Sequence, residues 1–497
     1  MTIPQSSKKS AEYYRIYKLR LDPTEEQRAR FEEEARAARW AHNSYLKHWN
    51  TCQTNWHRYR DEIISRGMGK DEATEKTKQE AATNHELKAM SWRTFAKERI
   101  VPLRKKHQRA EKILHELKNI ESEHSELSEK IEDLKNLNLW NNAKNIDEIH
   151  PWLHKNHTRS LTTGLKNADS AIQKYSNSLK PDYTGPHVGK PRYKRSNARK
   201  TITMDAETIG AYGAYDFRAS GQITNYHRIR LGPFRSVRTY NSTKPLSRDI
   251  ERGARAKSFT LTEKAGYWYV SIRVEFDVPQ IQPTTRKQRE NSSVGIDFGV
   301  NKWGTTSDGR VFTLPETIKD GERKVKNLQR KLSRAQKGSN RRRRLLQRIA
   351  KAKHTMALQK EAFLHKVSKE MTTEFSLVGV ENLNIRGMTA SARGTVEQPG
   401  KNVRAKAGLN RNILAGSPYE FRRQLQYKAH RYGSETVTVD RFYPSSKLCS
   451  NCGEKKEDLT LKDRQFHCSH CGFKTDRDLN AALNIKKEAE KLSTKPK

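Results

Sequence analysis

The sequence is short of apolar residues and of cysteine. Hydrophobic residues make up 33% of the 497-residue chain, against about 45–50% in an average globular domain. No apolar run approaches 18 residues and no lipidation signal is present, which argues against membrane insertion. The first ten residues are basic but contain no apolar segment, so they predict a cytoplasmic protein without a secretory signal. Five cysteines, one of them isolated, are too few for a disulfide scaffold and favour a metal site.

Negative charge is also scarce. Lys and Arg number 98 and Asp and Glu 57, giving a formal net charge of +41 at pH 7. Because so much like charge repels itself, the composition predicts a polyanionic partner, and nucleic acid fits better than a membrane surface. The densest run, residues 319–360, has 16 Lys or Arg, including Arg341, Arg342, Arg343 and Arg344, and only two acids. A solvated helix face is the alternative, but the lack of acidic partners favours contact with a nucleic-acid backbone.

Strand and helix patterns divide the chain into successive regions. Residues 13–21 alternate as a strand does, and a capping-box pattern of Thr24 and Gln27 then begins a helix expected to end near residue 47. Helical periodicity fills most of the chain from there to the strand-rich region. Residues 200–290 have the pattern of short strands joined by turns, which predicts a sandwich or barrel that the N-terminal strand can join.

An acidic heptad pattern distinguishes residues 104–160. Apolar residues recur there in alternating steps of four and three, and glutamates line the flank. Since acidic side chains repel phosphates, we expect this helical segment to pack against protein, either within the chain or across a dimer interface. Monomer and homodimer are both compatible with the pattern.

The most specific motif is a pair of Cys-x-x-Cys sequences. Cys449 and Cys452 precede Cys468 and Cys471, with fifteen residues between the two pairs, and a glycine follows each pair. Four thiolates at this spacing are typical of a tetrahedral, closed and therefore structural zinc ribbon. Reduced or paired cysteines without metal are the less favoured alternative.

Three carboxylates form a second pattern. Asp297 and Glu381 each end an apolar strand, and Asp478 opens a helix just after the cysteines, with Asp476 as the alternative. Each acid alone could be a turn cap or an ion-pair partner. Together, the order of strand, hairpin, helix, strand and helix is that of an RNase H-like fold. Carboxylates there hold Mg²⁺ or Mn²⁺, and two such ions can clamp a phosphodiester.

These motifs resemble the RuvC segments and zinc ribbon of the TnpB family, which comprises transposon-encoded RNA-guided nucleases and the compact type V CRISPR effectors. The matching segments are Ile296–Gly299, Val380–Leu383, Tyr443–Gly453 and Asp476–Ala482. Weaker similarity lies upstream, in Pro23-Thr24 and in the basic motif Gly189–Lys194, which contains Lys190, Arg192 and Lys194. The resemblance adds those three cations to the candidate nucleic-acid-binding residues.

The resemblance implies a multidomain α+β protein with a wedge β-barrel, a helical recognition lobe and an RNase H-like (RuvC) α/β nuclease domain that contains an inserted zinc ribbon. The implied bounds are 12–23 with 196–285 for the barrel, 24–195 for the recognition lobe with 104–160 as an insertion, 286–448 with 474–497 for the nuclease domain, and 449–473 for a ribbon that binds target nucleic acid.

The resemblance also assigns roles and partners. Asp297, Glu381 and Asp478 would be the catalytic acids that hold Mg²⁺ or Mn²⁺, and the four cysteines would hold Zn²⁺. A guide RNA with a structured scaffold and a double-stranded DNA target, in a prokaryotic cytoplasm, would be the partners.

In such proteins side chains also read a short motif in the flanking duplex. Asn43, Tyr45 and Lys47 are candidates for that role, although Tyr45 suits the core equally well. Residues 388–412, which are rich in Gly, Ser and Arg, are expected to form a mobile loop that acts as a lid over the acids.

The sequence therefore predicts an RNA-guided DNA endonuclease with a single RuvC site. The enlarged segment 104–160 favours a compact type V CRISPR effector over a transposon-encoded TnpB nuclease. Two other hypotheses are an RNA-guided repressor that binds without cutting and a transposase or resolvase that acts without RNA. The three acids argue against the repressor, since a protein that only binds DNA gains nothing from retaining them.

Overall fold

The computed structural model of the protein describes residues 13–84, 86–105, 108, 155–205, 226–231, 234–277, 281–299, 302–395, 397–460 and 463–493. The chain divides into two compact units, Met1–Asp277 and Val278–Lys497. Most of the acidic heptad segment predicted over 104–160 lies outside the described residues, so its structure and the choice between monomer and dimer stay predictions. None of the described helices has the length and apolarity that a membrane span requires.

The first unit contains a six-stranded antiparallel sheet. Its strands are β1 (Tyr13–Asp22), β2 (Thr201–Asp205), β3 (Arg228–Arg230), β4 (Ser236–Thr239), β5 (Arg255–Lys264) and β6 (Tyr267–Phe276), in the order β2-β5-β6-β1-β4-β3. The N-terminal strand joins the sheet as predicted and pairs with β6 from Tyr13↔Phe276 to Arg20↔Tyr269. The described strands end at β2 on one side and β3 on the other, so the closed wedge barrel stays a prediction.

Helices cover this sheet and extend from it. They are α1 (Glu25–Ser65), α2 (Lys70–Thr83), α3 (Trp92–Phe95) with a π-helical turn at Ala96–Ile100, α4 (Thr158–Ser178) and α5 (Lys244–Glu251). The Thr24 and Gln27 capping box begins α1 as predicted. The predicted end near residue 47 is wrong, because no helix breaker occurs before Gly67, whose φ of +97° ends the helical path.

The second unit is built on a five-stranded mixed sheet. Its strands are β7 (Ser293–Asp297), β8 (Gly304–Thr306), β9 (Val311–Phe312), β10 (Leu377–Glu381) and β11 (Glu435–Val439), in the order β11-β10-β7-β8-β9. A separate hairpin pairs β12 (Gln465–His467) with β13 (Lys474–Asp476). Strands β7, β10 and β11 are parallel, whereas β8 and β9 pair antiparallel beside β7. Strand, hairpin, helix and strand thus follow one another in the expected order.

The helices of the second unit are α6 (Arg286–Asn291), α7 (Glu316–Ser333), α8 (Asn340–Glu374), α9 (Ile385–Met388), α10 (Val403–Gly416), α11 (Pro418–Tyr432) and α12 (Arg477–Ser493). The expected loop over 388–412 is partly wrong, because its second half is the helical segment α10. That helix contains three alanines, two arginines and two leucines, which are strong helix formers. No residue of α10 is buried.

The two central strands of the second unit lie between helices. Val294 and Val380 are fully buried on the face that α8 and α11 cover. On the other face α12 approaches so closely that a Cβ at Gly295 would lie 2.2 Å from the carbonyl oxygen of Ala482. A Cβ at Gly379 would lie 2.6 Å from the Cβ of Ala489. Glycine at both positions is therefore what lets α12 cross the strands.

Candidate metal centres and basic surfaces

The three predicted acids meet at one end of the mixed sheet. Asp297 ends β7 and Glu381 ends β10, and these parallel strands are in register through the preceding pair, Ile296↔Val380. Asp478 lies in the first turn of α12, the helix that crosses both strands. The local cause is simple: parallel neighbours bring their carboxyl ends to the same edge, and close helix packing brings the third acid to it.

Burial and like charge act together on this cluster. Burial, followed by the negative charges of Glu381 and Asp478, raises the pKa of Asp297 to about 8. Burial also raises the pKa of Glu381, although a hydrogen bond from Ser445 opposes that shift. No described residue donates a hydrogen bond to the Asp297 carboxylate. Ionising a buried carboxylate that has no cationic partner is costly. Carboxylate oxygens are the ligands that hard divalent cations prefer, and such a cation would favour the ionised form.

The carboxylates are more widely spread than the ligands of a single ion. Among the described residues, only the four cysteines form a group of three or more potential ligands whose atoms all lie within 4.8 Å of one another. At least one pair among the oxygens of Asp297, Glu381 and Asp478 is therefore further apart.

The structure distinguishes Asp478 from its alternative. Asp476 accepts hydrogen bonds from the backbone nitrogens of Asp478 at 2.9 Å and Leu479 at 3.2 Å, so it caps α12. Its other oxygen lies 2.8 Å from Nζ of Lys302. Burial alone would raise the pKa of Asp476, but the bond from Lys302 and the capping bonds outweigh it and the pKa is lowered. Asp476 is thus occupied in capping the helix and binding Lys302, and its charge acts on Asp297 less strongly than that of Asp478.

Two residues beside the acids were missed by sequence reasoning. Nζ of Lys302 lies 3.9 Å from the Asp478 carboxylate, and Oγ of Ser445 donates to Oε1 of Glu381 at 2.7 Å. Ser445 belongs to the segment Tyr443–Gly453 that carries the resemblance, so the motif could have drawn attention to it. No pattern in the sequence distinguishes Lys302 from the other lysines.

The four cysteines converge as zinc ligands do. Sγ of Cys449 lies 3.6 Å from that of Cys471, and Sγ of Cys452 lies 3.7 Å from that of Cys468. Tetrahedral Zn²⁺ with bonds of about 2.3 Å places sulfurs about 3.8 Å apart. All four thiols are free of disulfides. The donor set and its spacing fit a closed zinc site.

The two halves of the cysteine site have the same backbone. After each Cys-x-x-Cys, a glycine with φ of +82° (Gly453) or +72° (Gly472) donates its N–H to the first cysteine of the pair, at 2.9 and 3.0 Å. A positive φ at this point is the conformation that glycine adopts without strain. The glycines noted in the sequence therefore close the two turns that present the sulfurs.

The predicted basic cluster is only partly available to a ligand. Arg342 is turned inward and donates from Nη1 to the carbonyls of Leu332 at 2.9 Å and Ala335 at 3.2 Å, at the end of α7. The other three arginines, Arg341, Arg343 and Arg344, are exposed on α8, and no described acidic residue pairs with them. Arg342 is thus a helix cap, and its neighbours present the unbalanced charge.

A large groove lies on the first unit. Its volume is 830 Å³, and its lining includes Arg36, Arg39, Trp40, Lys47, Arg99 and Lys155. Cations beside an aromatic ring are the combination that binds nucleotides.

The three residues predicted to contact the flanking duplex, Asn43, Tyr45 and Lys47, occupy different environments. Tyr45 is 3% exposed and donates to the carbonyl of Met90, so it belongs to the core. Asn43 bonds both backbone groups of Lys194, at 2.9 and 3.0 Å, and therefore holds the chain segment beside the groove. Lys47 is exposed in the groove.

The second predicted basic motif is more open. Lys190 and Arg192 are exposed, and Nζ of Lys190 lies 5.5 Å from the centre of the Trp49 ring. Lys194 is half-buried, and burial lowers its pKa. Two of the three cations can therefore contact a large ligand without rearrangement.

Three protein-family models match the chain. They are described as "Cas12f1-like, TNB domain" over residues 419–485, "Probable transposase" over 271–392 and "Helix-turn-helix domain" over 14–56. The last description does not fit the structure, in which those residues form strand β1 and part of the single helix α1. The first two cover Glu381, Asp478 and Asp297 between them.

Curated relatives point the same way. The chain is 38% identical over 229 residues to "Putative RNA-guided DNA endonuclease InsQ" of Escherichia coli, covering 46% of this chain and 56% of that protein. It is 32% identical over 299 residues to a "Putative RNA-guided DNA endonuclease" of Streptomyces pristinaespiralis, covering 59% and 65%. It is 22% identical over 233 residues to "CRISPR-associated endodeoxyribonuclease Cas12f1" of Sulfoacidibacillus thermotolerans, covering 45% and 50%.

These matches confirm the resemblance that the motifs predict. The chain is similar to TnpB-like proteins and to the compact type V effectors. The aligned part spans between half and two thirds of the relatives named above.

Proposed function

We propose that the chain is an RNA-guided DNA endonuclease that cuts its target by phosphodiester hydrolysis in a single RuvC site. One observation carries the proposal: Asp297, Glu381 and Asp478 lie together at the carboxyl edge of a mixed sheet. Relatives named as RNA-guided DNA endonucleases support the same activity. The charge of +41 supports a nucleic-acid partner independently.

In this proposal each domain has a role. Residues 12–23 with 196–285 form the wedge barrel, and 24–195 form the recognition lobe. Residues 286–448 with 474–497 form an RNase H-like nuclease domain, and 449–473 form the ribbon that contacts target nucleic acid. The order β9-β8-β7-β10-β11, antiparallel in its first half and parallel in its second, supports the assignment of the nuclease domain.

At the carboxyl edge of the sheet, the residues of the chain would hold metal ions and orient the carboxylates. Asp297, Glu381 and Asp478 would supply oxygens to two Mg²⁺ or Mn²⁺ ions. When bound, such ions polarise a phosphodiester and lower the pKa of an attacking water. Ser445 orients Glu381, and Lys302 neutralises part of the charge of Asp478 from 3.9 Å. The sulfurs of the four cysteines would hold structural Zn²⁺, since all four ligand positions are filled by the chain.

The basic surfaces would bind guide RNA and target DNA. Arg341, Arg343 and Arg344 on α8 present three cations that no acid of the described residues pairs with, and they suit a phosphate backbone. The groove around Lys47 suits the duplex that flanks the target, because its cations can contact phosphates. Lys190 and Arg192 would add to that surface.

The origin of the guide divides two versions of this function. The "Probable transposase" match over 271–392 favours a transposon-encoded TnpB nuclease, whereas the Cas12f1-like match over 419–485 favours a compact type V CRISPR effector in antiviral defence. The guide itself distinguishes them. Repeat–spacer RNA identifies the effector, and a transcript from a transposon end identifies the TnpB nuclease.

The test is to express the full chain beside its native flanking DNA, sequence the RNA that co-purifies and offer the complex a matching duplex. We expect cleavage that requires Mg²⁺ or Mn²⁺ and disappears after RNase treatment. Asp297→Ala should abolish cleavage and spare target binding, whereas replacing the exposed acid of α7, Asp320→Ala, should leave both cleavage and binding unchanged. Binding without cleavage by the unaltered chain would favour the repressor, and cleavage that survives RNase would favour the resolvase.

A further inference from the structure

Two buried asparagines of α12 face the chain segment that contains Cys449. Asn480 and Asn484 lie one helical turn apart and are 0% and 3% exposed. Asn480 accepts a hydrogen bond from the backbone nitrogen of Ser450 at 2.9 Å and donates to the carbonyl of Leu448 at 2.6 Å. Asn484 donates to the same carbonyl at 2.7 Å. The backbone on both sides of Cys449 is thus bonded to α12.

The same segment extends to a catalytic carboxylate. Asn484 also donates to the carbonyl of Ser445 at 2.8 Å. Ser445 is 5% exposed, and its hydroxyl donates to Glu381 at 2.7 Å. One asparagine therefore holds both the residue before Cys449 and the residue that orients Glu381. Asp478 lies on the same helix, two residues before Asn480.

The second cysteine pair is held differently. The backbone nitrogen of Cys468 donates to the carbonyl of Phe473 at 2.9 Å, and that of Gly472 donates to Cys468 at 3.0 Å, so this turn is bonded within its own hairpin. The first turn, in contrast, is continuous with α12 through Asn480, Asn484 and Lys487, whose Nζ donates to the carbonyl of Ser450. Among the described residues, the hydrogen bonds that lead through Ser445 to Glu381 start from the first turn. The second hairpin joins the other end of the site, because β13 runs directly into α12 and the backbone nitrogen of Arg477 donates to the carbonyl of Arg464 at 3.0 Å.

We propose that Ser445 and Asn484 are positioning residues through which the cysteine site sets the geometry of the carboxylate site. Zinc held at Cys449 fixes residues 445–450 against α12, and that fixed segment orients Glu381 relative to Asp478. The meaning of this link for cleavage rests on the proposed nuclease function, but the link itself is a property of divalent-ion binding. Partners that orient a metal ligand from behind typically contribute about ten- to a hundredfold to metal affinity.

The first experiment measures Mn²⁺ binding to the zinc-loaded full chain by electron paramagnetic resonance. Ser445→Ala should weaken the Asp297-dependent Mn²⁺ site about tenfold with zinc content unchanged. Ser445→Thr keeps the hydroxyl and should restore affinity. Ser446→Ala is the matched control, because the hydroxyl of Ser446 has no hydrogen-bond partner among the described residues. An unchanged affinity in Ser445→Ala, an equal loss in Ser446→Ala, or no Asp297-dependent Mn²⁺ site at all would overturn the link.

The second experiment disrupts the contacts between the cysteine site and Ser445, by changing Asn484 or by removing zinc. Asn484→Ala, and separately removal of zinc with a thiol-selective chelator, should each weaken Mn²⁺ binding about tenfold. In the RNA complex, Asn484→Ala and Ser445→Ala should each cleave about tenfold more slowly at limiting Mn²⁺ and bind target DNA unchanged. Mn²⁺ binding that depends on zinc in a chain that never cuts would refute the nuclease and keep the link. A chain that cuts equally well with Asn484 or Ser445 replaced would do the reverse.

Discussion

Two regions of the second unit concentrate like charge and deal with it in different ways. At the carboxyl ends of β7 and β10, acids are buried next to one another, and the pKa of Asp297 rises to about 8. On the α7–α8 hairpin, arginines are exposed and remain charged without acidic partners among the described residues. Buried carboxylates suit small cations held at fixed positions. Exposed arginines suit a polyanion, whose binding salt weakens.

The largest effect is expected at the buried acids. Asp478→Asn removes one negative charge from the carboxylate site and should reduce cleavage by about a thousandfold, measured as a single-turnover rate with saturating guide RNA. Asp476→Asn is the matched control two residues away. Because asparagine also caps helices well, it should stay within about threefold of the unaltered rate. Equal losses in the two variants would remove the distinction between cap and ligand.

The exposed arginines should behave as a salt-sensitive surface. Replacing Arg341, Arg343 and Arg344 by alanine should weaken RNA or DNA binding and make the plot of log affinity against log salt less steep. The slope should fall by about one for each phosphate that the arginines neutralise in the unaltered chain. Filter binding between about 50 and 300 mM salt would measure both quantities. A slope that does not change would show that these side chains do not bind phosphate.

Arg342 should separate stability from binding. Arg342→Ala leaves two carbonyls at the end of α7 without their charged donor, which we expect to cost about 1 kcal/mol of unfolding free energy. Denaturant titration would measure that decrease. Nucleic-acid affinity should change by less than about twofold, so a large change in affinity would contradict the inward role.

The smallest expected effect is on the pH dependence of folding stability and comes from a buried histidine, which avoids a buried positive charge by losing its proton. His42 is 5% exposed, and burial followed by the charge of Lys194 lowers its pKa to about 4. Since the unfolded chain binds the proton near pH 6.5, folding stability should be complete above that pH and fall by about 1 kcal/mol between pH 7 and 5.5. His42→Asn should flatten that dependence, whereas changing the exposed His57 should not. An equal slope with either variant would contradict this account.

Local motifs predicted the candidate ligand residues but not the side chains that contact them. The spacing of the cysteines and the position of Asp297 and Glu381 at strand ends are properties of short segments, so the sequence was enough to find them. Ser445 and Lys302 reach the acids through tertiary packing across more than sixty residues of chain, which no local pattern records.

Errors in the sequence predictions have the same origin. Tyr45 and Asn43 are polar residues of a kind that can contact DNA. Tyr45 instead lies inside the core between α1 and α4, and Asn43 hydrogen-bonds the backbone of Lys194. Arg342 looks identical to its neighbours in a run of four arginines, yet its helical phase turns it toward α7. The expected lid loop ignored the helix propensity of residues 403–416. For the side chains, the direction in which each one points determines its role, and the residue type alone does not reveal that direction.

The close approach of α12 to Gly295 and Gly379 also sets an order of events during synthesis. Asp297 and Glu381 leave the ribosome first, and Asp478 follows about a hundred residues after Glu381. At typical synthesis rates that interval is roughly 5–20 s. For that time the glycine faces of β7 and β10 have no helix over them and the third acid does not yet exist. The growing chain is therefore without a complete carboxylate site until its last described helix has docked.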